Sequence, residues 1–266
     1  MPISGEIAYS ADLDLPDLLQ SGRPCSVALT ISASGATIVP SAATLTLYAP
    51  GQTDPVLDAV SATVAASGVV SYTIAAAVLD PTLPGRTYGP GWLESWSVTI
   101  GGVDYPFNRP AALSVRPIVP TVSDETLLSE YPDLLAYSVQ GATTFQAIRE
   151  TAWGDIVRRW LQGGGATWNI ADSSLFHEAH RELTLAKQWR LSAKSHGNDA
   201  LVELAKEHRQ SYEAAWSRIA AQYDRDQDGR IDDPEEVEPN SMVLNRSATR
   251  AVRRVPSRNR GTMVIR

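Results

Sequence analysis

The chain has one cysteine, three lysines and three phenylalanines among its 266 residues, and no apolar run approaching the ~20 residues that a membrane-spanning helix needs. A lone Cys25 excludes an internal disulfide, and its neighbours Ser26-Val27-Ala28-Leu29 mark it as an inert buried strand thiol. The start, Met1-Pro2-Ile3-Ser4-Gly5-Glu6, lacks the basic residues and apolar block of a signal peptide, so export by that route is not expected.

Catalytic patterns are missing too. Gly163-Gly164-Gly165 is not followed by the Lys and Ser or Thr of a phosphate-cradling loop, and no nucleophile elbow occurs. His177 and His180 are three residues apart, whereas a zinc-protease helix needs its histidines four apart, so exposed helix polarity is the expectation for this pair. No catalytic residues are expected, and an enzyme is not expected.

What is present divides by charge. The net charge of -7 hides a basic end: residues 246–266 carry seven arginines and no acid, which leaves residues 1–245 with a formal charge of -14. Lysine occurs only at Lys187, Lys194 and Lys206, against twenty arginines, and arginine's guanidinium can bind carboxylates or phosphates in bidentate fashion.

Hydrophobic period then changes along the chain. Val27, Leu29 and Ile31 alternate with small or polar neighbours, as do Leu45 and Leu47, Val60 to Val64, Val70 to Ile74, and Trp96 to Ile100. Turn pairs punctuate them at Ser34-Gly35, Pro50-Gly51, Ser67-Gly68, Pro84-Gly85 and Gly101-Gly102, the last a tight hairpin signal. About seven short strands with one wet face predict an antiparallel β-sandwich of immunoglobulin-like type over residues 1–117.

Two prolines make 118–122 an extended linker, and a helical region follows over 123–223, giving an α+β chain of more than one domain. Ser123 or Asp124 caps a short helix ended by Pro132. A second helix places Phe145, Ile148, Ala152, Ile156 and Trp160 on one side. A third, starting at Asp172 or Ser173, carries Leu175, Ala179, Leu183, Ala186 and Arg190 and ends at His196-Gly197. A fourth runs from Asn198 to Tyr223 with Leu201, Leu204, Ala205, His208, Tyr212, Ala215, Ile219 and Tyr223 in register.

That last helix is expected to lead directly into residues 224–235, which have the spacing of an EF-hand calcium loop. Asp224, Asp226, Asp228 and Asp232 occupy positions 1, 3, 5 and 9, Gly229 position 6 and Glu235 position 12, with Arg230 offering its carbonyl at position 7. Carboxylates this close repel unless a hard, oxygen-seeking cation neutralises them, so structural Ca2+ is the expected cofactor. Pro239 blocks an exit helix, which makes the loop a clip and not a sensor.

Residues 236–266 form an extended, Arg-rich arm. Arg246, Arg250, Arg253, Arg254, Arg258, Arg260, Val264, Ile265 and Arg266 are the expected partner-binding residues, through edge-strand pairing and contact with an acidic surface. Nucleic acid is a poorer match, because the arm has no interleaved aromatics and hangs from an acidic body.

The succession of a short helix, Phe145 to Leu161, Leu175 to Leu191, Leu201 to Tyr223, the segment Asp224 to Gly229 and the Arg-rich end Val264-Ile265-Arg266 resembles the head-tail connector (adaptor) proteins of tailed bacteriophages over about 123–266. That resemblance implies a virion protein, assembled in the host cytoplasm, that forms a ring of commonly twelve copies below the portal. It further implies that the arm at 246–266 reaches the portal protein, that tail or stopper proteins bind the other side, and that DNA passes through the lumen without sequence-specific contacts. The sandwich falls outside the resemblance, and a calcium loop is not a defining feature of that family; together they suggest an alternative, a calcium-stabilised adhesive or binding module.

Overall fold

The computed structural model describes residues 9–13, 15–138, 143–221, 223–224 and 238–239. It is an α+β chain: ten strands come first, and four α-helices follow. The strands are β1 (Tyr9–Ala11), β2 (Asp17–Gln20), β3 (Cys25–Ala33), β4 (Ala36–Thr37), β5 (Ala42–Tyr48), β6 (Leu57–Ser61), β7 (Thr63–Val64), β8 (Val69–Ile74), β9 (Gly89–Ile100) and β10 (Val103–Ser114). One sheet has the order β1-β3-β8-β7, with β4 paired to β3; the other has the order β2-β10-β9-β5-β6.

Alternation explains why the sheets face each other. Val27, Leu29 and Ile31 of β3 and Val70 and Ile74 of β8 share one buried core with Leu45 and Leu47 of β5, Trp92, Trp96 and Val98 of β9, and Leu113 of β10. The hairpin from β9 to β10 turns on Gly101 and Gly102 at φ 60° and 82°, the paired positive values that a two-residue turn matching strand twist requires.

Two expectations about the strands need correction. The second sheet is mixed, because β2 runs parallel to β10, with Ala111 opposite Asp17 and Ser114 opposite Gln20. The chain achieves this by crossing from β1 in one sheet to β2 at the edge of the other. Among the described residues of this region there are also ten strands, against about seven expected. β10 contains Pro106 and Pro110, which argue against a central strand; β2 covers only Ala111–Ser114, so the prolines lie where β10 is itself an edge and no second ladder needs their missing N–H.

The helices are α1 (Asp124–Glu130), α2 (Gln146–Gln162), α3 (His177–His196) and α4 (Asp199–Ser217). Their starts and stops follow side-chain chemistry. Ser123 accepts from the Thr126 N–H to cap α1, Asn198 accepts from the Ala200 N–H to cap α4, and α3 closes on Gly197 at φ 60°. The helix α3 is buried almost all round, with Glu182 through Ala186, Gln188 and Trp189 enclosed, so it is the element around which the others pack. On one side Ile156, Trp160, Phe176, Leu183, Tyr212 and Trp216 form an apolar cluster; on the other Leu127, Leu134, Phe145, Leu185, Trp189 and Leu201 form a second. Leu15 and Leu18, beside and within β2, pack against the first cluster and so join strands to helices.

Three further expectations are overturned. Arg190 was placed on the inner stripe of α3 but is exposed. The fourth helix was expected to reach Tyr223 yet ends at Ser217, although Ile219 and Tyr223 remain buried. His180 is completely buried and not exposed polarity: its Nδ1 accepts from the Thr121 N–H at 3.3 Å, so Nε2 carries the proton and donates to the Arg149 carbonyl at 3.0 Å. His177 Nδ1 donates to the Thr121 carbonyl at 3.0 Å. The two histidines therefore grip both backbone groups of Thr121 and fix the linker against α3. Burial lowers the His180 pKa to about 4, since a charged imidazolium would lose its solvation there.

Candidate functional site

The acidic segment is held at its base by backbone pairing. After α4, strand β11 (Ala220–Ala221) runs antiparallel to β12 (Glu238–Pro239), with Ala220 opposite Pro239 and Ala221 opposite Glu238. Between them, Tyr223 forms an antiparallel bridge with Ile170, and the Asp224 N–H donates to the Asn169 carbonyl at 2.8 Å. Asp224 itself is buried, at 4% exposure. The chain thus enters the acidic segment against residues 169–170 and returns from it beside Ala220–Ala221. Pinning the ends in this way removes part of the loop-closure entropy that gathering its carboxylates would cost.

This geometry departs from an EF-hand in one respect. An EF-hand loop is entered directly from a helix, but here a two-residue strand intervenes between Ser217 and Asp224. No helix abuts the leading edge of the loop, so metal binding has no lever to swing on that side. Of the expected ligands only Asp224 is described; Asp226, Asp228, Arg230, Asp232 and Glu235 lie outside the described residues, as do all the expected partner-binding residues of the arm from Arg246 to Arg266. Among the described residues there is no group of three or more His, Cys, Asp or Glu side chains that could hold a metal ion.

Two buried polar networks were not anticipated. Glu94, fully buried on β9, accepts from Arg109 Nη2 at 2.7 Å, Arg109 Nε at 3.1 Å and Trp96 Nε1 at 3.0 Å, all at its Oε2. Arg109 on β10 also donates to Asp17 of β2 at 2.6 Å and to the Ala28 carbonyl of β3 at 3.0 Å, so one guanidinium ties the two sheets together. Burial pushes the Glu94 carboxyl up to about 7, against the opposing pull of the Arg109 guanidinium. Its Oε1 is buried with no hydrogen-bond donor among the described residues, which leaves half of the charge unsolvated and accounts for the direction. The signal for this network was available in the period-two pattern, since Glu94 sits at an inward position between Trp92 and Trp96.

In the helices, Glu182 accepts from His208 Nδ1 at 2.8 Å and from Arg181, while Tyr131 Oη lies 3.1 Å from His208 Nε2. Burial opposes ionisation of Glu182, but the His208 and Arg181 hydrogen bonds prevail and hold its pKa below the usual value. This network ties α1, α3 and α4 together. Cys25 starts β3, in a strand as expected, but is half-buried and not enclosed; burial still raises its thiol pKa, which disfavours the reactive thiolate.

No protein-family model and no curated protein matches this sequence. Among solved structures, a chimeric titin Z1Z2 functionalized with a KLER exogenous peptide from decorin is 16% identical, covering 40% of this chain and 93% of that one, with a TM-score of 0.24. The swine CD8aa homodimer is 10% identical over 40% of this chain and 96% of that one, with a TM-score of 0.22. The titin M3 domain is 17% identical over 41% and 98%, also with a TM-score of 0.22. TM-scores of this size do not establish a shared fold. No helix among the described residues is long and apolar enough to cross a membrane.

Proposed function

We propose that this chain is a structural virion protein, a head-tail adaptor that assembles as a ring below the portal and links it to the tail. In this proposal residues 1–117 form an immunoglobulin-like sandwich and 118–122 a linker. A helical adaptor bundle at 123–223, a calcium clip at 224–235 and an extended Arg-rich arm at 236–266, with the portal-docking part at 246–266, follow. The observation that carries the reading is the succession of α1 to α4 followed by the chain reversal at β11 and β12, ahead of an Arg-rich end. The resemblance to phage connectors rests on the helices, the segment Asp224 to Gly229 and the Arg-rich end; the pairing of β11 with β12 is an added observation.

The sandwich assignment is supported by strand order. Naming β1, β3, β8 and β7 as A, B, E and D, and β2, β10, β9, β5 and β6 as A′, G, F, C and C′, reproduces the immunoglobulin arrangement of ABED facing GFC, with an added C′ edge. The formal charge of -14 on residues 1–245 suits a lumen through which DNA must slide without adhering. The chemistry asked of the protein is positioning only, with no reaction catalysed.

Co-sedimentation with the cognate portal protein, followed by negative-stain imaging, tests the reading. The full chain is expected to attach to the portal as a ring. A chain deleted for residues 246–266 is expected to lose attachment while keeping its helical circular dichroism. Full-length protein that stays monomeric and never co-sediments with portal would overturn the adaptor and favour the calcium-stabilised binding module.

A further inference from the structure

All three lysines of the chain, Lys187, Lys194 and Lys206, line one cavity of about 730 Å³ along the exposed seam between α3 and α4. Arg190 and Arg209 complete its rim. The spacings of three and four residues place Lys187, Arg190 and Lys194 on one face of α3, opposite Lys206 and Arg209 on α4. Those same three α3 cations also flank a second cavity of about 430 Å³ between α2 and α3, beside Ile148, Thr151 and Leu191. In a chain of net charge -7, five cations gather on this seam, and two of them, Arg190 and Lys194, make no ion pair among the described residues.

Beneath the rim the floor is apolar and small. Ala186, Ala193 and Ala205 lie between Leu183 and Val202, and Val202 is left 37% exposed. Two helices with alanines along their seam leave a trough wide enough for a third helix to pack closely, its apolar stripe on the floor and its flanks against the rims. The charges decide which flanks fit. Arg190 and Lys194 make no ion pair among the described residues. Lys206 and Arg209 hold exposed carboxylate partners, Glu203 at 2.7 Å and Glu213 at 3.0 Å, pairs that contribute little and exchange easily, while the Arg209 guanidinium also lies 4.9 Å from the centre of the Tyr212 ring.

A nucleic acid fits less well. No aromatic side chain lines the cavity to stack a base, and Asp155, Glu203 and Glu213 already neutralise three of the five cations, which is too little positive field for a polyanion. We propose that the α3–α4 seam docks an amphipathic helix of a partner protein, with carboxylates flanking its apolar stripe. This docking holds whether or not the chain joins portal to tail.

The test uses the full-length protein and a labelled helical peptide with a Leu/Ala stripe flanked by glutamates, read by fluorescence anisotropy. Binding is expected, weakening about tenfold when salt is raised from low to several times physiological strength, because rim charges are screened. The exposed double variant R190E/K194E is expected to lose about tenfold or more in affinity, the effect of a few desolvated charge contacts. V202E, which puts a charge on the floor, is expected to lose binding as well; circular dichroism checks that both variants keep their helices. Lack of binding by the glutamate peptide would overturn the proposal, as would equal binding of a matched lysine peptide or unchanged affinity in both variants. So would R190E/K194E-sensitive binding only of oligo(dT), of phosphatidylserine vesicles or of a second copy of the chain.

Discussion

Two buried groups are poised to titrate in the same pH range with opposite effects on stability, and separating them is a direct test of the fold. Glu94 has its carboxyl raised from 4.5 to about 7, so between those values the folded chain holds a proton that the unfolded chain has released. Its contribution is fully present below pH 4.5 and is lost as pH rises through 7. His180 is lowered from 6.5 to about 4, so the unfolded chain binds the proton first. Its contribution is fully present above pH 6.5 and is lost as pH falls through 4. At about 1.4 kcal/mol per pH unit, each group shifts stability by about 3 kcal/mol across its own window. Between pH 4.5 and 6.5 the two slopes cancel if the whole chain unfolds in one transition.

Urea unfolding of the wild type from pH 4.5 to 6.5 is therefore expected to give a nearly flat contribution from this pair. In E94Q only the His180 slope remains, and stability should rise with pH. In H180Q only the Glu94 slope remains, and stability should fall. If strands and helices melt separately, the wild type itself should show the two opposite slopes in its two transitions. The slopes matter and not the offsets, because each substitution also changes packing. Parallel pH profiles for wild type, E94Q and H180Q would refute the assigned burial and hydrogen bonding of both groups.

For the clip, Glu235→Ala is expected to weaken calcium binding measured by calorimetry on the full chain, and a wild-type titration with no heat above buffer would remove the metal. Gly165→Ala brings a Cβ to within 2.3 Å of the Trp160 indole, which already donates to the Ala166 carbonyl, so the ring must shift. Overpacking of this kind costs ~1–3 kcal/mol, and an unchanged denaturation midpoint would contradict it. Ser123→Ala removes the hydroxyl that accepts from the Thr126 N–H at 3.2 Å and should cost about 1 kcal/mol, with unaltered stability arguing against the cap.

Much of the fold was legible because local periods were obeyed. Val27, Leu29 and Ile31 alternate and are buried, and Ile156 and Trp160 fall on the stripe that packs against α3. What escaped was set by distant partners. The depth of His180 depends on the linker folding back so that Thr121 meets it from 59 residues away, a contact with no local signature. The overrun of α4 has a sharper cause. Tyr212, Ala215, Ile219 and Tyr223 keep helical spacing and are all buried, but after Ser217 the burial is delivered by the strand pairing with 238–239 and the bridge to Ile170. Period alone cannot distinguish those two routes to the same core. For the site, one expected ligand was placed and the networks around Glu94 and Glu182 were missed, although the inward register of Glu94 could have revealed the first.

The early end of α4 changes what a bound cation could do. Had the helix run into Asp224, closing the carboxylates would have rotated a rigid rod and transmitted the motion through the helices. Instead Ala220–Ala221 is paired to Glu238–Pro239, and the Asp224 N–H is held by Asn169, on both sides of the acidic segment. Among the described residues, a cation proposed for this loop meets a paired strand base on its entry side and not a helix end. The chain also leaves this base at Pro239, fixed beside Ala220, so the arm that follows starts from a defined point on the body. In the proposed adaptor, whose residues 246–266 dock on the portal, a fixed origin reduces the conformational search and the ordering entropy of docking.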